Sequence, residues 1–312
     1  MKKVEILLAT YNTEKYIHAL LESLLAQTFT DWRLLIHDDG SSDKTLEILR
    51  EYRSNYPEKI FLLEDNIRLG GSLKNFSHLA EYSKSNYVMF CDQDDVWLPD
   101  KIALTFEGMM AAERAYGGKT PLLIHTDLRV VGDSLKTLGD SFWKYQNLNP
   151  EISRRFSRLL VQNVVTGCTV MVNRPLLELA LPIPEGAVMH DWWLALVASA
   201  FGKIEYISSP TVLYRQHKYN SVGAKKWGIE YILAELLLSF NKDSALNIRK
   251  TIQQAQEFQT RYSNNLDAGK RKILQTFTGV LSRNWLARRI LLIKYGIIKS
   301  DVIRNLGFLT RI

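Results

Sequence analysis

The sequence predicts an α/β chain with a parallel sheet in its first half, a mixed sheet in its second half and a helical C-terminal extension. Three observations carry this. Short apolar runs alternate with stretches whose apolar residues recur at helical spacing. Three of those runs end in polar or acidic turns, at Thr10-Tyr11-Asn12, Asp38-Asp39-Gly40 and Asp92-Gln93-Asp94-Asp95. From Trp227 onward strand-like runs cease.

Residues 4–9 read as a first strand, and Asn12 or Thr13 caps a helix whose Tyr16, Ile17, Leu20, Leu21, Leu24 and Leu25 share one face. Residues 32–37 form a second strand. A second helix follows through Leu46, Ile48, Leu49 and Tyr52, and Pro57 ends it. Residues 60–63 are a third strand, Gly70-Gly71-Ser72 opens a helix carrying Phe76, Leu79 and Tyr82, and 87–91 is a buried fourth strand. Three consecutive βα units with short connections predict a right-handed parallel sheet of the nucleotide-binding kind. Asp100 is placed to cap a helix over 102–116, strands are expected at 122–131 and 166–172, and Arg174-Pro175 begins a short helix. His190-Asp191-Trp192-Trp193 opens a helix reaching Phe201, with strands expected at 204–207 and 211–215. Ile229, Ile232, Leu233, Leu236 and Leu237 then show amphipathic helical spacing. The boundary falls near Gly223, giving regions 1–222 and 223–312.

At 312 residues and 46% hydrophobic content the chain is long enough for a substantial core. Its net charge of +7 is uneven: residues 223–312 hold 16 Lys and Arg against 6 Asp and Glu, the first 222 hold 24 against 27. Such a tail suits an anionic surface. Two cysteines, Cys91 and Cys168, lie in apolar runs and fit reduced core thiols of a cytoplasmic protein, not a disulfide framework or a zinc site. The apolar part of the N-terminus is too short for a secretory signal, and no run approaches the roughly 20 apolar residues of a spanning helix. Membrane contact is therefore expected to be peripheral.

The acidic turn after residues 87–91 is the strongest chemical signal. Like charges packed this closely repel unless a cation or ligand answers them, and hard oxygen donors suit magnesium or manganese. Asp100 and its neighbours otherwise read as helix caps, as do Ser42 and Asp43. The first turn lacks the three glycines of a dinucleotide site and the lysine of a P-loop, which argues against a hydride-transfer cofactor. Tyr11 and its polar neighbours Thr10 and Asn12 suit a base instead, and Asp38 or Asp39 can accept from a ring N–H or from ribose hydroxyls.

With Thr10-Tyr11-Asn12, Asp38-Asp39-Gly40-Ser41-Ser42-Asp43 and Asp92-Gln93-Asp94-Asp95-Val96-Trp97 in one order, about the first 220 residues resemble glycosyltransferase family 2. Together with His190-Asp191-Trp192-Trp193 and Tyr214-Arg215-Gln216-His217 they are most similar to bacterial rhamnosyltransferases of cell-wall polysaccharide synthesis. The resemblance implies the GT-A fold, a donor such as dTDP-L-rhamnose, a divalent metal (Mn or Mg) and inversion at the anomeric carbon. Carried over, Asp39 would hold the base, Asp92 the ribose, and Asp94 the metal, with His217 completing the metal's ligands. Asp95 adds a third carboxylate, which leaves the split between ribose and metal open.

Asp191 is the expected general base, since an inverting transfer needs a carboxylate to take the acceptor proton as the new bond forms. Trp192 and Trp193 would wall the sugar site. The alternative is that Asp191 caps its helix and the tryptophans fill the core, and Asp127 is then the next candidate base. The Gln-x-x-Arg-Trp signature of processive synthases is absent, so release after one or a few additions is expected. Residues 282–299 form a basic amphipathic stretch that fits a membrane interface at the inner face of the cell membrane, or packing on its own domain or on a second copy in a homodimer. A saccharide acceptor carried on a lipid would make membrane proximity useful. The competing class is a non-catalytic membrane- or nucleic-acid-binding adaptor. It accounts for the tail but not for an acidic rim that would repel phosphates, and nucleic acid is not expected as a partner.

Overall fold

A computed structural model describes residues 4–218, 223, 224, 226–228 and 242–312. The helical spacing of Ile229, Ile232, Leu233, Leu236 and Leu237 lies outside the described residues. Nine strands form one sheet: β1 (Val4–Thr10), β2 (Trp32–Asp38), β3 (Ile60–Leu63), β4 (Tyr87–Cys91), β5 (Val96–Trp97), β6 (Leu122–Gly132), β7 (Thr137–Gly139), β8 (Met171–Asn173) and β9 (Lys203–Gln216). Their order is β3-β2-β1-β4-β8-β6-β9-β5, with β7 on β6. The first four are parallel, as the βα repeats predict. Val4 stands beside Trp32 and Tyr87, and Leu8 beside Ile36 and Cys91. That register brings the turns after Thr10, Asp38 and Cys91 out on one rim, the carboxyl edge where open α/β sheets collect ligands.

The second half is mixed. β8 runs antiparallel between β4 and β6, and β9 runs parallel to β6. Four expectations need correction. Neither Asn12 nor Thr13 caps the first helix: it starts at Ile17 with Tyr16 at the N-cap and no side-chain cap bond, because Asn12 accepts from Ser42 instead. The stretch 166–172 is strand only from Met171, because Gly167–Thr169 coils into a 3-10 turn. The two strands expected at 204–207 and 211–215 are one, β9: Pro210 faces Asp127 at a register shift, so the Ser-Ser-Pro turn signal marks an irregularity within a strand and not a break. Asp100 makes no side-chain cap bond; it accepts from the Thr28 hydroxyl at 3.0 Å. β5 was not expected at all, since two residues carry too short a pattern, yet Val96 and Trp97 pair with Leu213 and Val212.

Helices cover both faces. On one, α1 (Ile17–Leu25), α2 (Thr45–Asn55) and, later in the chain, α4 (Lys101–Tyr116) bury Leu20, Leu24, Leu49 and Ile102 against Ile6, Leu8 and Ile36. On the other, α3 (Ser72–Tyr82) packs Phe76 and Leu79 on Leu7, Val88 and Phe90. The short α5 (Phe142–Tyr145) and α6 (Phe156–Leu159) precede α7 (Arg174–Ala180) and α8 (His190–Phe201), which share this second core. So do α9 (Lys242–Tyr262), α10 (Ala268–Thr278), α11 (Trp285–Lys294) and α12 (Val302–Arg311), through Phe258, Tyr262, Phe277, Leu292 and Phe308. Cations fasten them to helix ends, where carbonyls lack intrahelical partners. Arg261 donates to Ala180 O at 3.2 Å and Pro182 O at 2.6 Å past the end of α7, and Lys270 donates to Ala200 O at 2.6 Å near the end of α8. The tail therefore extends the core of the sheet domain. No helix among the described residues is long and apolar enough to cross a membrane.

Gly202 sits where α8 hands over to β9, and a Cβ there would fall on the carbonyl oxygen of Pro121, which accepts from Lys203 N at 3.0 Å. Backbone on both sides leaves nowhere to retreat. Gly202→Ala is expected to cost about 3 kcal/mol, the upper range of overpacking, measured as a lowered urea midpoint at unchanged slope.

Candidate active site

The rim starts from two turns zipped together. Asn12, at φ 47°, donates its backbone N–H to Ser41 Oγ at 2.8 Å and accepts from Ser42 N at 2.8 Å through its side-chain oxygen. Thr13 N donates to Thr45 Oγ1 at 2.8 Å, Glu14 N donates to Asp43 at 3.0 Å, and Lys44 N donates back to Glu14 at 2.8 Å. The polar residues of both turns thus fix each other. Thr10 is buried, and its hydroxyl donates to Asp38 at 2.8 Å, which ties the ends of β1 and β2 together. Tyr11 is different: it is 55% exposed, and its backbone is clamped from both sides by the Gln93 amide, at 2.6 and 3.1 Å. Its ring stands at the rim with its position set.

Asp39 faces the loop that follows β3. Its carboxylate accepts from Leu69 N at 2.5 Å, Gly70 N at 2.9 Å and Gly71 N at 3.0 Å. Gly70 N also reaches the other oxygen at 3.2 Å, so each carboxylate oxygen accepts two of these bonds and the loop is held to Asp39. The loop is tied down again from below, where Asp65 bridges His37 at 3.2 Å and His78 at 2.7 Å. Arg68 lies across Gly40, in the space that a Cβ there would fill, and the φ of +82° at Gly40 also favours glycine.

Beyond β4 the three carboxylates separate into different environments. Asp95 is fully buried; Oδ1 accepts from Arg215 N at 3.0 Å, and Oδ2 has no hydrogen-bond partner. Burial, then Asp94 and Asp92, push its pKa well above the carboxylate range. Asp92 is pushed up to about 7 by loss of water and by Asp94 and Asp191, with the Cys168 thiol donating to it in the opposite sense. Asp92, Asp95 and Cys168 bring ligand atoms within 4.8 Å of one another. Beneath them Lys101 is buried with its ammonium 4.5 Å from the Trp97 ring; burial lowers it to about 8, against the pull of the neighbouring thiols and carboxylates.

Asp94 turns outward to the end of β9. Its Oδ2 lies 2.7 Å from His217 Nε2, and the imidazole stacks on Tyr16 at 4.7 Å. Arg215 holds this corner shut, donating from Nε to Asp94 O at 2.7 Å while its guanidinium lies 4.9 Å from the Tyr16 ring. One hard oxygen and one imidazole nitrogen therefore converge at the rim, a donor pair that suits a divalent cation. The residues present fit such an ion.

Asp191 occupies the first turn of α8. Its Oδ1 accepts from Trp192 N at 2.6 Å, and the backbone N–H of Gly167 and the Asn163 side chain also favour the charged form. Burial dominates and raises its pKa to about 7. Gly167 and Cys168 are consecutive, so one 3-10 turn touches Asp191 with its first residue and Asp92 with its second. His190 beside it is buried between Phe76 and Phe90, centroids 4.2 and 4.8 Å away, and burial lowers it to about 3.

The tryptophans part company. Trp193 is fully buried against Phe258 and Tyr262 with its indole N–H on Ala180 O at 3.0 Å, so it is a core residue and no wall for a sugar. Helix geometry explains this: adjacent residues point about 100° apart, and one of two neighbours must face inward. Trp192 is half-buried with its N–H on Leu159 O at 2.5 Å, leaving part of the ring available. Asp127 is committed elsewhere, accepting from Leu128 N at 2.8 Å, Phe142 N at 3.1 Å, Trp143 N at 3.3 Å and the Ser141 hydroxyl at the start of α5. Sequence reasoning missed Gln93, Lys101 and Arg215. Gln93 and Arg215 lay inside quoted motifs, and Lys101 read as an ordinary first helical residue because nothing local shows that it is buried.

Residues 5–178 match the sequence profile of Glycosyl transferase family 2. The dTDP-rhamnosyl transferase RfbG of Shigella flexneri is 29% identical over 229 residues, covering 70% of this chain and 74% of its own. The putative teichuronic acid biosynthesis glycosyltransferase TuaG of Bacillus subtilis is 29% identical over 232 residues, covering 72% of this chain and 82% of its own. Among solved structures, TarS 1-349 of S. aureus in complex with UDP-GlcNAc aligns with a TM-score of 0.52 at 18% identity, over 99% of this chain and 90% of that one. The mannosyltransferase PcManGT from Pyrobaculum calidifontis, in complex with GDP-Man and Mn2+, aligns at 0.52 and 16% identity, over 95% and 86%. At these identities the structural likeness speaks for the fold.

If Trp193 is core, Trp193→Ala should cost about 3–5 kcal/mol, as large-to-small aromatic changes do, whereas Trp193→Phe should keep near-normal turnover. Chemical denaturation and a transfer assay on both variants check this; full stability with lost turnover in Trp193→Phe would return the residue to the sugar.

Proposed function

Because the chain belongs to glycosyl transferase family 2, we propose that it is an inverting, metal-dependent transferase that moves L-rhamnose from dTDP-L-rhamnose onto a saccharide carried by a lipid. The observation that carries this reading is the presence, at one sheet edge, of two acidic positions suited to different work. Asp94 meets His217 at 2.7 Å, while Asp191 is held apart on α8 with a pKa near 7. The rhamnosyl donor rests on the similarity to RfbG, and the metal on the donor pair and on the family.

The residues divide the work as follows. Tyr11 packs on the thymine ring, and Asp39, which the resemblance assigns to the base, accepts a ring N–H by sharing an oxygen now held by the Leu69–Gly71 backbone. Asn12 keeps the turn that presents Tyr11, and Asp92 accepts from the ribose. Asp94 and His217 would hold a divalent cation, manganese or magnesium, which when bound would supply charge to stabilise the leaving diphosphate. Trp192 offers its exposed ring portion to the sugar or the acceptor. Asp191 takes the proton from the acceptor hydroxyl as oxygen attacks the anomeric carbon from the face opposite the diphosphate, so one bond forms as the other breaks. A pKa near neutrality suits that task, since the base must be ionised yet basic enough to accept. Cytoplasmic work at the inner face of the membrane fits two buried, reduced cysteines and a lipid-borne acceptor.

The pH dependence follows in sign. Burial raises the folded pKa of Asp191 above its ordinary value, so the stability held by the neutral acid is complete below about 4 and is lost as pH rises through about 7. The base form appears over the same interval. Turnover with saturating donor and acceptor should therefore rise with pH through about 7. Asp191→Asn should lower it by about a hundredfold to ten-thousandfold, the range of general-base loss, while donor affinity measured by calorimetry stays within about twofold. Retention of more than about a tenth of wild-type turnover, outside that range, would remove Asp191 from the role.

A further inference from the structure

The outer surface of α11 is built against the usual rule for a soluble helix. Leu292 points inward and is fully buried, and Arg289 folds back over Trp285 at 4.2 Å. Leu286, Ile290 and Ile293, spaced i, i+4 and i+7, form one stripe that is 59%, 56% and 58% exposed, with Trp285 at its margin at 67%. Helix α12 repeats the pattern at its start, where Val302 is 83% and Leu306 is 55% exposed, four residues apart. Singly exposed leucines mean little; a contiguous stripe on one helix marks a contact surface.

Charge decides what the contact is. Between Asp267 and Asp301 the chain carries eight Lys or Arg and no Asp or Glu, and Arg283 and Lys294, both exposed, flank the stripe at the two ends of α11. A symmetric contact between two copies through this face would set those cations against each other with no carboxylate from the segment to answer them. An anionic lipid surface answers them throughout, and it takes up apolar side chains with a tryptophan at the interfacial depth. We propose that α11 is a docking helix that seats this enzyme on anionic lipid, with Trp285, Leu286, Ile290 and Ile293 entering the acyl boundary and Arg283 and Lys294 on the headgroups. The surface names the membrane partner implied by a lipid-borne acceptor and in that respect rests on the proposed function. It also gives regions 1–222 and 223–312 separate work, chemistry in the first and docking in the second, although they share a core.

Because Phe258, Phe277 and Leu292 join that core, removal of the tail would test folding and not docking. The test therefore uses the full chain. Flotation with phosphatidylcholine vesicles containing phosphatidylglycerol should recover the wild-type protein, with at least tenfold less recovered on phosphatidylcholine alone or in high salt. Leu286→Ser/Ile290→Ser/Ile293→Ser and, separately, Arg283→Gln/Lys294→Gln should each weaken binding about tenfold or more. Both should keep wild-type thermal stability and wild-type transfer to a soluble saccharide acceptor. Undiminished vesicle binding by either variant overturns the proposal, as does a wild-type dimer in sedimentation that the apolar triple variant dissolves. If wild type transfers no sugar to any acceptor yet binds vesicles as described, the transferase reading fails and the docking helix stands.

Discussion

Crowding of carboxylates at the end of β4 is the constraint on which the rest of this structure depends. Asp92, Asp94 and Asp95 occur within four residues of a buried strand, where burial and neighbouring like charges push Asp92 and Asp95 up and oppose folding. The fold answers each differently. Asp95 goes inward to the Arg215 backbone N–H, and Asp92 stays beside Cys168 and above Lys101. Asp94 turns out to His217. Two of these partners come from the far end of β9, which must run unbroken past Pro210 to deliver Arg215 and His217 to the corner. The short β5 pairs with the same strand and keeps that end in place.

A second dependence runs through α8. Asp191 is held in its first turn, and the inward face of the helix, with Trp193, is sealed by Phe258 and Tyr262 from α9. Arg261 and Lys270 fasten this packing by capping exposed carbonyls near the ends of α7 and α8. The C-terminal helices therefore contribute to the position of the proposed base. Stability and function meet at that helix: burial that fixes Asp191 also holds its acidity near neutrality.

Much of this was legible in the chain because it is written in local patterns. The βα repeats fixed by Leu20, Leu24, Leu49 and Phe76 appear where their spacing predicts, and Asp94 and His217, which the family resemblance names together, stand 2.7 Å apart across 123 positions of sequence. What was not legible depends on burial that no local pattern reveals. Trp193 has the right chemistry for a ligand and sits on the inward side of its helix, and the Thr10 hydroxyl is taken up by Asp38. Lys101 is a buried cation because of where α4 docks, not because of its neighbours in sequence. Ser208-Ser209-Pro210 reads as a turn, yet β6 offers a partner through the irregularity and the strand continues.

The central claim is that this acidic rim binds a nucleoside diphosphate through a divalent cation. Calorimetric titration of dTDP into the chelator-treated protein, with and without manganese, tests it most directly. The account predicts saturable one-to-one binding with manganese and at least a hundredfold weaker binding without it. Equal affinity in the two conditions, or no binding in either, would contradict it.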